Sequence, residues 1–225
     1  MTRGASLGIL PRQVTAGMPE KIRGRTVPDI KLFDEIARRA MLHNHRDEGG
    51  VGYTYYHCRR VMQLARGLAE CGELRGRDID VETMTIAAMF HDVGRDIDTK
   101  NHCEAGADFV TRELAPLLRR EQLEKVALLV RRHNRPVNIE SEIIHDADLI
   151  DHCGALNTWR LFHYSAAHGR NAYDTVGFFD ENKEKWLFKH PEWTIFETAR
   201  KEILRRLSVE EEFIRELKRE LDCTL

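Results

Sequence analysis

The amino-acid sequence predicts an all-α protein built as one helical domain. Apolar residues recur at intervals of three and four along several segments, which is the spacing of an amphipathic helix. Alternating patterns typical of strands are weak throughout, and no internal repeat is visible. The chain of 225 residues is long enough for one large domain. We therefore expect a helical domain over residues 29–225, preceded by an irregular arm.

The beginning of the chain lacks the pattern of a regular element. Glycine or proline, which interrupt helices and strands, occur at Gly4, Gly8, Pro11, Gly17, Pro19, Gly24 and Pro28. The sequence therefore predicts an extended arm over residues 1–28.

Apolar stripes predict seven helices in the remainder of the chain. They cover approximately residues 29–41, 53–71, 81–91, 102–118, 123–132, 140–167 and 194–221. Asp80 precedes the third helix in the manner of an N-cap, and Thr194 to Glu197 matches a capping box at the start of the last. Residues 168–192 combine glycine, proline and aromatic residues. We expect an irregular insert there, so that insert and last helix together cover residues 168–222.

The composition excludes some classes of partner. Lys and Arg number 35 against 37 Asp and Glu, so no global field favours a nucleic acid polymer or a membrane surface. The five cysteines are odd in number and lack Cys-x-x-Cys spacing, which is typical of reduced thiols in a cytoplasmic protein. No apolar run suits a transmembrane helix, and the N-terminus lacks the apolar core of a secretory signal.

Histidine and aspartate occur at core positions or at the ends of the predicted helices. The main example is the pair His91-Asp92, which follows the apolar run at residues 83–90. A buried carboxylate needs an ionic partner, hydrogen bonds or a metal. Imidazole and carboxylate together suit Mn, Fe, Co, Ni or Zn as a divalent transition metal. Other candidates of this kind are His57, His102, His133 and Asp148.

These residues resemble the ordered motifs of the HD-domain superfamily of metal-dependent phosphohydrolases. That family has a first histidine, a later His-Asp pair and a distal aspartate, all on helices. His57 is similar to the first histidine, His91 and Asp92 to the pair, and Asp148 to the distal aspartate. The resemblance covers residues 53–155 and implies that the four side chains bind one divalent metal.

Two more histidines are similar to positions that complete a second metal site in some members of the family. His102 begins a His-x-x-x-Gly-Ala segment, and His133 ends the following helix. In such members Asp92 would bridge two metals. The resemblance thus implies one metal and leaves a second open. The alternatives for His102 and His133 are a helix cap and a charge at a helix C-terminus.

The resemblance also implies an activity. It is the hydrolysis of phosphate esters or phosphoanhydrides by a metal-activated water, on a nucleotide or another small-molecule phosphate. Asp92 would hold the metal, and Arg95, at the place of a basic residue in the family motif, would hold a phosphate oxygen. The alternative is an HD-type di-iron oxygenase that cleaves a C–C or C–P bond. A third interpretation is a non-catalytic binding module with a structural ion.

Some charged residues keep two interpretations at the level of the sequence. Arg95 fits a phosphate contact or a salt bridge in the loop over residues 95–98. Asp146 and Asp151 could contact the metal ligands without binding the metal, or they could be solvated at the surface.

The remaining histidines, cysteines and aromatic residues are assigned to ordinary positions. His152 and His190 are expected at the surface or in the core. The cysteines beside proposed ligands are expected to be small core residues because neighbours on a helix face elsewhere. The aromatic residues of the insert fit an ordinary core, and a substrate wall and a homodimer contact remain the open alternatives.

Overall fold

The computed structural model describes residues 30–223, so the arm predicted over residues 1–28 lies outside the described residues. The described part is all-α, as the sequence predicts, apart from the antiparallel hairpin of β1 (His45–Arg46) and β2 (Gly50–Val51). Its helices are α1 (Ile30–Met41), α2 (Tyr53–Ala69), α3 (Val81–Phe90), α4 (His102–Glu113), α5 (Arg120–Arg132), α6 (Ile139–Asp151), α7 (Ala155–Ala167), α8 (Ala172–Asn182), α9 (His190–Trp193) and α10 (Glu197–Leu221). Within residues 30–223, no helix combines the length and the apolar character that a membrane crossing requires.

Helix α3 forms the centre of the core. Its residues from Thr83 to Phe90 are all buried, and it packs against α1, α2, α5 and α6. A helix that is apolar on every side is expected to be enclosed in this way. Asp80 accepts a hydrogen bond from Thr83 N at 3.0 Å, which confirms the predicted N-cap. Because α3 ends at Phe90, His91 and Asp92 emerge in the buried interior.

Gly94, in the turn after Asp92, and Gly106 of α4 allow the two backbones to come into contact. Residues Val93–Asp96 form one 3-10 turn that packs on α4. A Cβ on Gly94 would lie 1.9 Å from His102 O and 2.6 Å from Gly106 N. The missing side chain at Gly94 therefore lets α4 approach the His-Asp turn, and this approach brings His102 close to Asp92.

The single long helix predicted over residues 140–167 is wrong, because the chain breaks near Gly154. Helix α6 ends at Asp151 and α7 begins at Ala155. Gly154 has φ +93°, a left-handed conformation that favours glycine, and a Cβ there would lie 3.0 Å from Arg206 Cβ. The apolar spacing continues across this glycine, so periodicity alone does not show the break.

The segment over residues 168–192 is more regular than the sequence predicts. It contains α8, a π-helical turn at Lys183–Leu187 and the start of α9. Asn171 and Asp174 form a capping box at the start of α8. Glycine and the aromatic residues mask this short helix in the sequence, although its capping signal is present.

The capping box predicted at the start of the last helix is also wrong. Helix α10 begins at Glu197, and carboxylates from distant segments satisfy the backbone there. Glu73 accepts hydrogen bonds from Glu197 N at 3.1 Å and from Thr198 N at 2.9 Å. The buried Asp146 accepts one from Phe196 N at 2.8 Å. Asp146 therefore fixes the entry to α10.

The boundaries of two further helices differ from the prediction. Helix α4 ends at Glu113 instead of near residue 118, because Pro116 disfavours helical backbone at the residue before it. Helix α5 begins at Arg120, three residues before the first apolar position that marked it in the sequence.

Glu210 of α10 anchors the break between α6 and α7. Its buried carboxylate accepts hydrogen bonds from Gly154 N at 3.1 Å and from Asn157 Nδ2 at 2.8 Å. Burial raises the pKa of Glu210 to about 7, although both hydrogen bonds act in the opposite direction. The folded protein therefore binds this proton more tightly than the unfolded chain does.

We expect Gly94→Ala to lower the free energy of unfolding by about 1–3 kcal/mol or more, because the added Cβ overlaps the backbone of α4. Gly67→Ala is the matched control, since a Cβ on this exposed residue of α2 meets no heavy atom within 4 Å. It should stabilise the helix by up to about 1 kcal/mol. Urea unfolding measures both effects, and an unchanged stability of G94A would contradict the close approach.

In the parent protein the free energy of unfolding should fall as the pH rises, because Glu210 loses its proton. We expect Glu210→Gln to make this fall smaller. A carboxyl whose pKa is raised by folding stabilises the fold only while protonated, so its contribution is lost between the ordinary value of 4.5 and about 7. The full difference is on the order of 3 kcal/mol. Urea unfolding across this pH range measures it, with Glu181→Gln, at an exposed position of α8, as control. Parallel pH profiles of E210Q and the parent protein would contradict the expectation.

Candidate metal centre

His57 is held with one ring nitrogen facing a buried centre. It lies on α2, and its Nδ1 donates to Asp151 Oδ2 at 2.8 Å. Arg60 donates two hydrogen bonds to the same carboxylate, at 2.8 and 2.9 Å. Burial opposes a charge on His57, but the neighbouring carboxylates of Asp148 and Asp151 raise its pKa to about 9. A carboxylate behind a histidine in this way fixes the ring orientation and leaves Nε2 as the ligand atom.

The His-Asp pair occupies the end of α3. His91 Nδ1 donates to Ala88 O at 2.8 Å, which places His91 Nε2 3.2 Å from His57 Nε2. With both Nδ1 atoms acting as donors, two nitrogen lone pairs face each other, an arrangement that needs a proton or a cation between them. Asp92 has φ −107° and ψ 9° and is already outside α3. The helix end therefore directs both side chains of a vicinal pair to one centre.

Asp148 of α6 completes a first group of four donors. Its Oδ1 lies 3.1 Å from His57 Nε2 and 3.7 Å from His91 Nε2. Asp92 Oδ2 lies 3.6 Å from His57 Nε2 and 3.9 Å from His91 Nε2. The four side chains that the resemblance selected are therefore brought together.

A second group of donors lies on the opposite side of the Asp92 carboxylate. Asp92 Oδ1 is 3.5 Å from His133 Nε2 and 3.7 Å from His102 Nε2. His133 Nδ1 donates to Val130 O at 2.7 Å, so its Nε2 also faces inward. The two oxygens of Asp92 thus face two different sets of imidazole nitrogens.

The donor set fits metal binding on two counts. Among the described residues, three of its buried atoms lack any hydrogen-bond partner: Asp92 Oδ1, His133 Nε2 and Asp148 Oδ1. Buried polar atoms are seldom left without a partner, so unpartnered atoms call for an explanation such as an ion. Ligands at about 2.0–2.2 Å from a metal with tetrahedral geometry lie about 3.3–3.6 Å apart, and the distances between donors given above fall close to this range.

The charges around the centre also favour a cation. Burial opposes ionisation of Asp92, but the neighbouring His91 and His133 hold the pKa of Asp92 well below its usual range. Burial opposes ionisation of Asp148 as well, and His152 is the first of the groups that hold the pKa of Asp148 well below its usual range. Two ionised carboxylates in the interior require positive charge beside them, which protons on histidines or a bound metal supply.

Arg95 lies beside the shared carboxylate. Its Nε donates to Asp92 Oδ2 at 2.5 Å, and its side chain is 31% exposed. Arg95 therefore forms an ion pair with Asp92, and not the salt bridge within residues 95–98 that the sequence also allowed. A guanidinium has five donors, so this contact leaves others to bind an anion that approaches from solvent.

The sequence did not identify two residues that contact the centre as part of it. His152 Nδ1 lies 3.2 Å from Asp148 Oδ1, whereas the sequence interpretation placed His152 at the surface or in the core. The ring of Tyr53 stacks on the ring of His57, with centroids 5.8 Å apart. The spacing of His152, four residues after Asp148 on a predicted helix, was the available signal for the first contact.

The three cysteines beside ligands differ in their surroundings. Cys58 and Cys153 are buried, as expected for small core residues. Cys103 departs from that expectation, because its Sγ lies 3.5 Å from His102 Nε2 and within 4.8 Å of a ligand atom of His133.

Comparisons with known proteins agree with this geometry. Residues 54–153 match the family model of the HD domain. A comparison with curated proteins gives no match. The chain is similar to the solved structure of an HD-superfamily hydrolase from Bacillus thuringiensis, with 26% identity, a TM-score of 0.67 and coverage of 86% of this chain and 96% of that one.

Two other solved structures extend the comparison. A predicted HD superfamily hydrolase from an uncultured Thermotogales bacterium is 25% identical, with a TM-score of 0.63 and coverage of 86% of this chain and 94% of that one. YpgQ of Bacillus subtilis, solved in complex with ADP, is 20% identical, with a TM-score of 0.61 and coverage of 84% and 96%, which shows the fold alone. The family model and the HD-superfamily neighbours together identify residues 54–153 of this chain as an HD domain.

Proposed function

We propose that this chain is a metal-dependent phosphohydrolase that acts on a nucleotide or a related phosphate ester. The observation that carries the proposal is the pair of donor groups on the two sides of Asp92, with Arg95 beside it. The first group, His57, His91, Asp92 and Asp148, would hold one divalent transition metal. His102 and His133 would hold a second, with Asp92 as the bridge.

Binding of a phosphate next to these carboxylates requires positive charge from both the cofactor and the protein. A bound divalent metal acts as a Lewis acid, which orients a phosphate oxygen and lowers the pKa of water towards neutrality. Arg95 would donate to a second phosphate oxygen and offset the charge that develops on the phosphoryl group. Asp92, with no proton of its own at neutral pH, would accept a hydrogen bond from the attacking water and orient it.

The second candidate function is the di-iron oxygenase chemistry that cleaves a C–C or C–P bond. It is favoured by the same shared carboxylate, because six imidazole and carboxylate ligands in two groups also suit two irons. Metal analysis and the dependence of turnover on oxygen separate the two candidates. Arg95 supports the phosphohydrolase, because its side chain is partly exposed and adjacent to the donors.

We expect Asp92→Ala to reduce metal-dependent phosphatase activity by at least about 100-fold while the helical content stays unchanged, because both donor groups lose a ligand. The assay is a panel of nucleotides and other phosphate esters with Mn, Co, Ni, Zn or Fe. The panel includes ADP because a protein of the same fold, YpgQ, was solved in complex with ADP. The exposed His43→Ala is the control. Turnover by metal-loaded D92A at the parent rate would refute the site.

We expect His102→Ala and His133→Ala each to lower the metal content towards one ion per chain, because both remove a ligand of the second group only. His91→Ala is the complementary variant, which should remove the ion of the first group. Elemental analysis of protein purified without chelators measures the content. Equal metal content in the parent protein, H102A and H133A would exclude a second ion.

A further inference from the structure

A cavity of about 110 Å³, open to solvent on one side, lies beside the candidate metal centre. It is formed by residues of α7, α8 and α10 and by the segment between α8 and α10. His152 lines it, and His152 Nδ1 is 3.2 Å from Asp148 Oδ1, so one wall of the cavity is shared with the centre. A ligand bound at the centre therefore has space to extend into this cavity.

Arg160 of α7 places a permanent positive charge on the cavity wall. Its Nε and Nη1 are buried and have no hydrogen-bond partner among residues 30–223. Its guanidinium lies over the ring of Tyr53, with Cζ 5.1 Å from the ring centroid, and Tyr53 in turn stacks on His57. Burying charged donors without partners is costly, because a guanidinium cannot lose its proton. An anion that enters the cavity would supply the missing acceptor.

The other charged residues of the cavity wall do not satisfy Arg160. Both oxygens of Glu210 already accept hydrogen bonds, from Gly154 N and from Asn157 Nδ2. Lys183 shares the Asp180 carboxylate with Lys218, with Nζ atoms 3.2 Å from Oδ1 and 2.6 Å from Oδ2. Arg160 differs from Lys183 in that it forms no ion pair with any described residue, so its guanidinium is the cation of this wall best placed to bind an anionic ligand.

Most of the remaining wall is apolar and consists of Leu161, Phe178, Phe179 and Leu187. Asn182 and His190 are its polar members. Arg160 and Phe178 also line a neighbouring cavity of about 300 Å³, so Arg160 borders both spaces. The combination of a fixed cation and flat apolar side chains suits a ligand that has both an anionic group and an apolar or aromatic part.

We propose that Arg160 binds a second anionic group of the substrate while the scissile phosphate lies at the metal centre. This inference rests on the proposed function and narrows it to compounds with a phosphate or a carboxylate next to the phosphate that is hydrolysed. It also assigns the aromatic residues Phe178 and Phe179 to a substrate wall, the alternative to an ordinary core that the sequence left open.

The test compares ADP with AMP, which lacks the second phosphate, as substrates of the metal-loaded enzyme. Arg160→Gln should lower kcat/KM for ADP by about 10- to 100-fold, mainly by raising KM. The same variant should lower kcat/KM for AMP by no more than about threefold. Arg160→Lys should fall between R160Q and the parent protein, because a lysine keeps the charge without the guanidinium fork. Phosphoglycolate, which carries a carboxylate beside its phosphate, tests the carboxylate source in the same way.

Arg120→Gln is the control. Arg120 is an exposed residue of α5 that pairs with Glu124 and lines neither cavity. R120Q should leave both substrates unaffected. Equal losses for ADP and AMP in R160Q, or no loss for ADP and phosphoglycolate, would overturn the role of Arg160.

A binding measurement separates this inference from the proposed function. If the parent protein hydrolyses no phosphate compound, the proposed function fails, but calorimetry with pyrophosphate and with inorganic phosphate still tests the cavity. A loss of pyrophosphate affinity in R160Q that exceeds the loss of phosphate affinity by about tenfold supports the second anion site. Unchanged pyrophosphate affinity overturns it.

Discussion

The buried carboxylate of Asp92 is the constraint on which the rest of the structure depends. An ionised carboxylate in a protein interior is tolerated only when positive charge and hydrogen-bond donors surround it. Here one oxygen faces His57 and His91, the other faces His102 and His133, and Arg95 lies at the side. Four helices and the turn after α3 must therefore converge on one side chain. The requirement for Gly94 follows from this, because α4 reaches the carboxylate only where the two backbones can touch.

Two of the imidazoles are oriented by the same hydrogen bond at a helix end. His91 and His133 each follow the last residue of a helix, and each donates from Nδ1 to the carbonyl three residues before it. The last carbonyls of a helix have no partner inside the helix, so the contact satisfies an otherwise free acceptor and fixes the ring at the same time. His57 lies within a helix and lacks such a carbonyl. Its Nδ1 is held by Asp151, which explains why a buried carboxylate and Arg60 lie behind this ring alone.

The sequence predicted the site better than it predicted the C-terminal fold. The four residues of the first donor group meet as the family resemblance implied, and each lies at a helix end or on an apolar stripe. For Asp151 the sequence left open a contact behind the ligands or a solvated position, and the structure shows the contact with His57. His152 was expected at the surface or in the core, because the apolar spacing across Gly154 conceals the break after α6. The start of α10 was misread for a related reason. The backbone N–H groups at its start donate to Glu73 and Asp146. A local sequence pattern does not show contacts with residues that are distant in the chain.

The boundary of the HD domain also bears on specificity. The family model ends at residue 153, just before α7, and every donor atom of the two groups lies on its N-terminal side. Arg160, Phe178 and Phe179 lie beyond that boundary, yet they line the cavity that adjoins His152. A chemical centre built from one part of the chain can therefore keep its geometry while α7 to α10 vary. If the proposed function holds, the donor groups within residues 54–153 would supply the chemistry, and the charge and shape of the C-terminal wall would select the compound that enters.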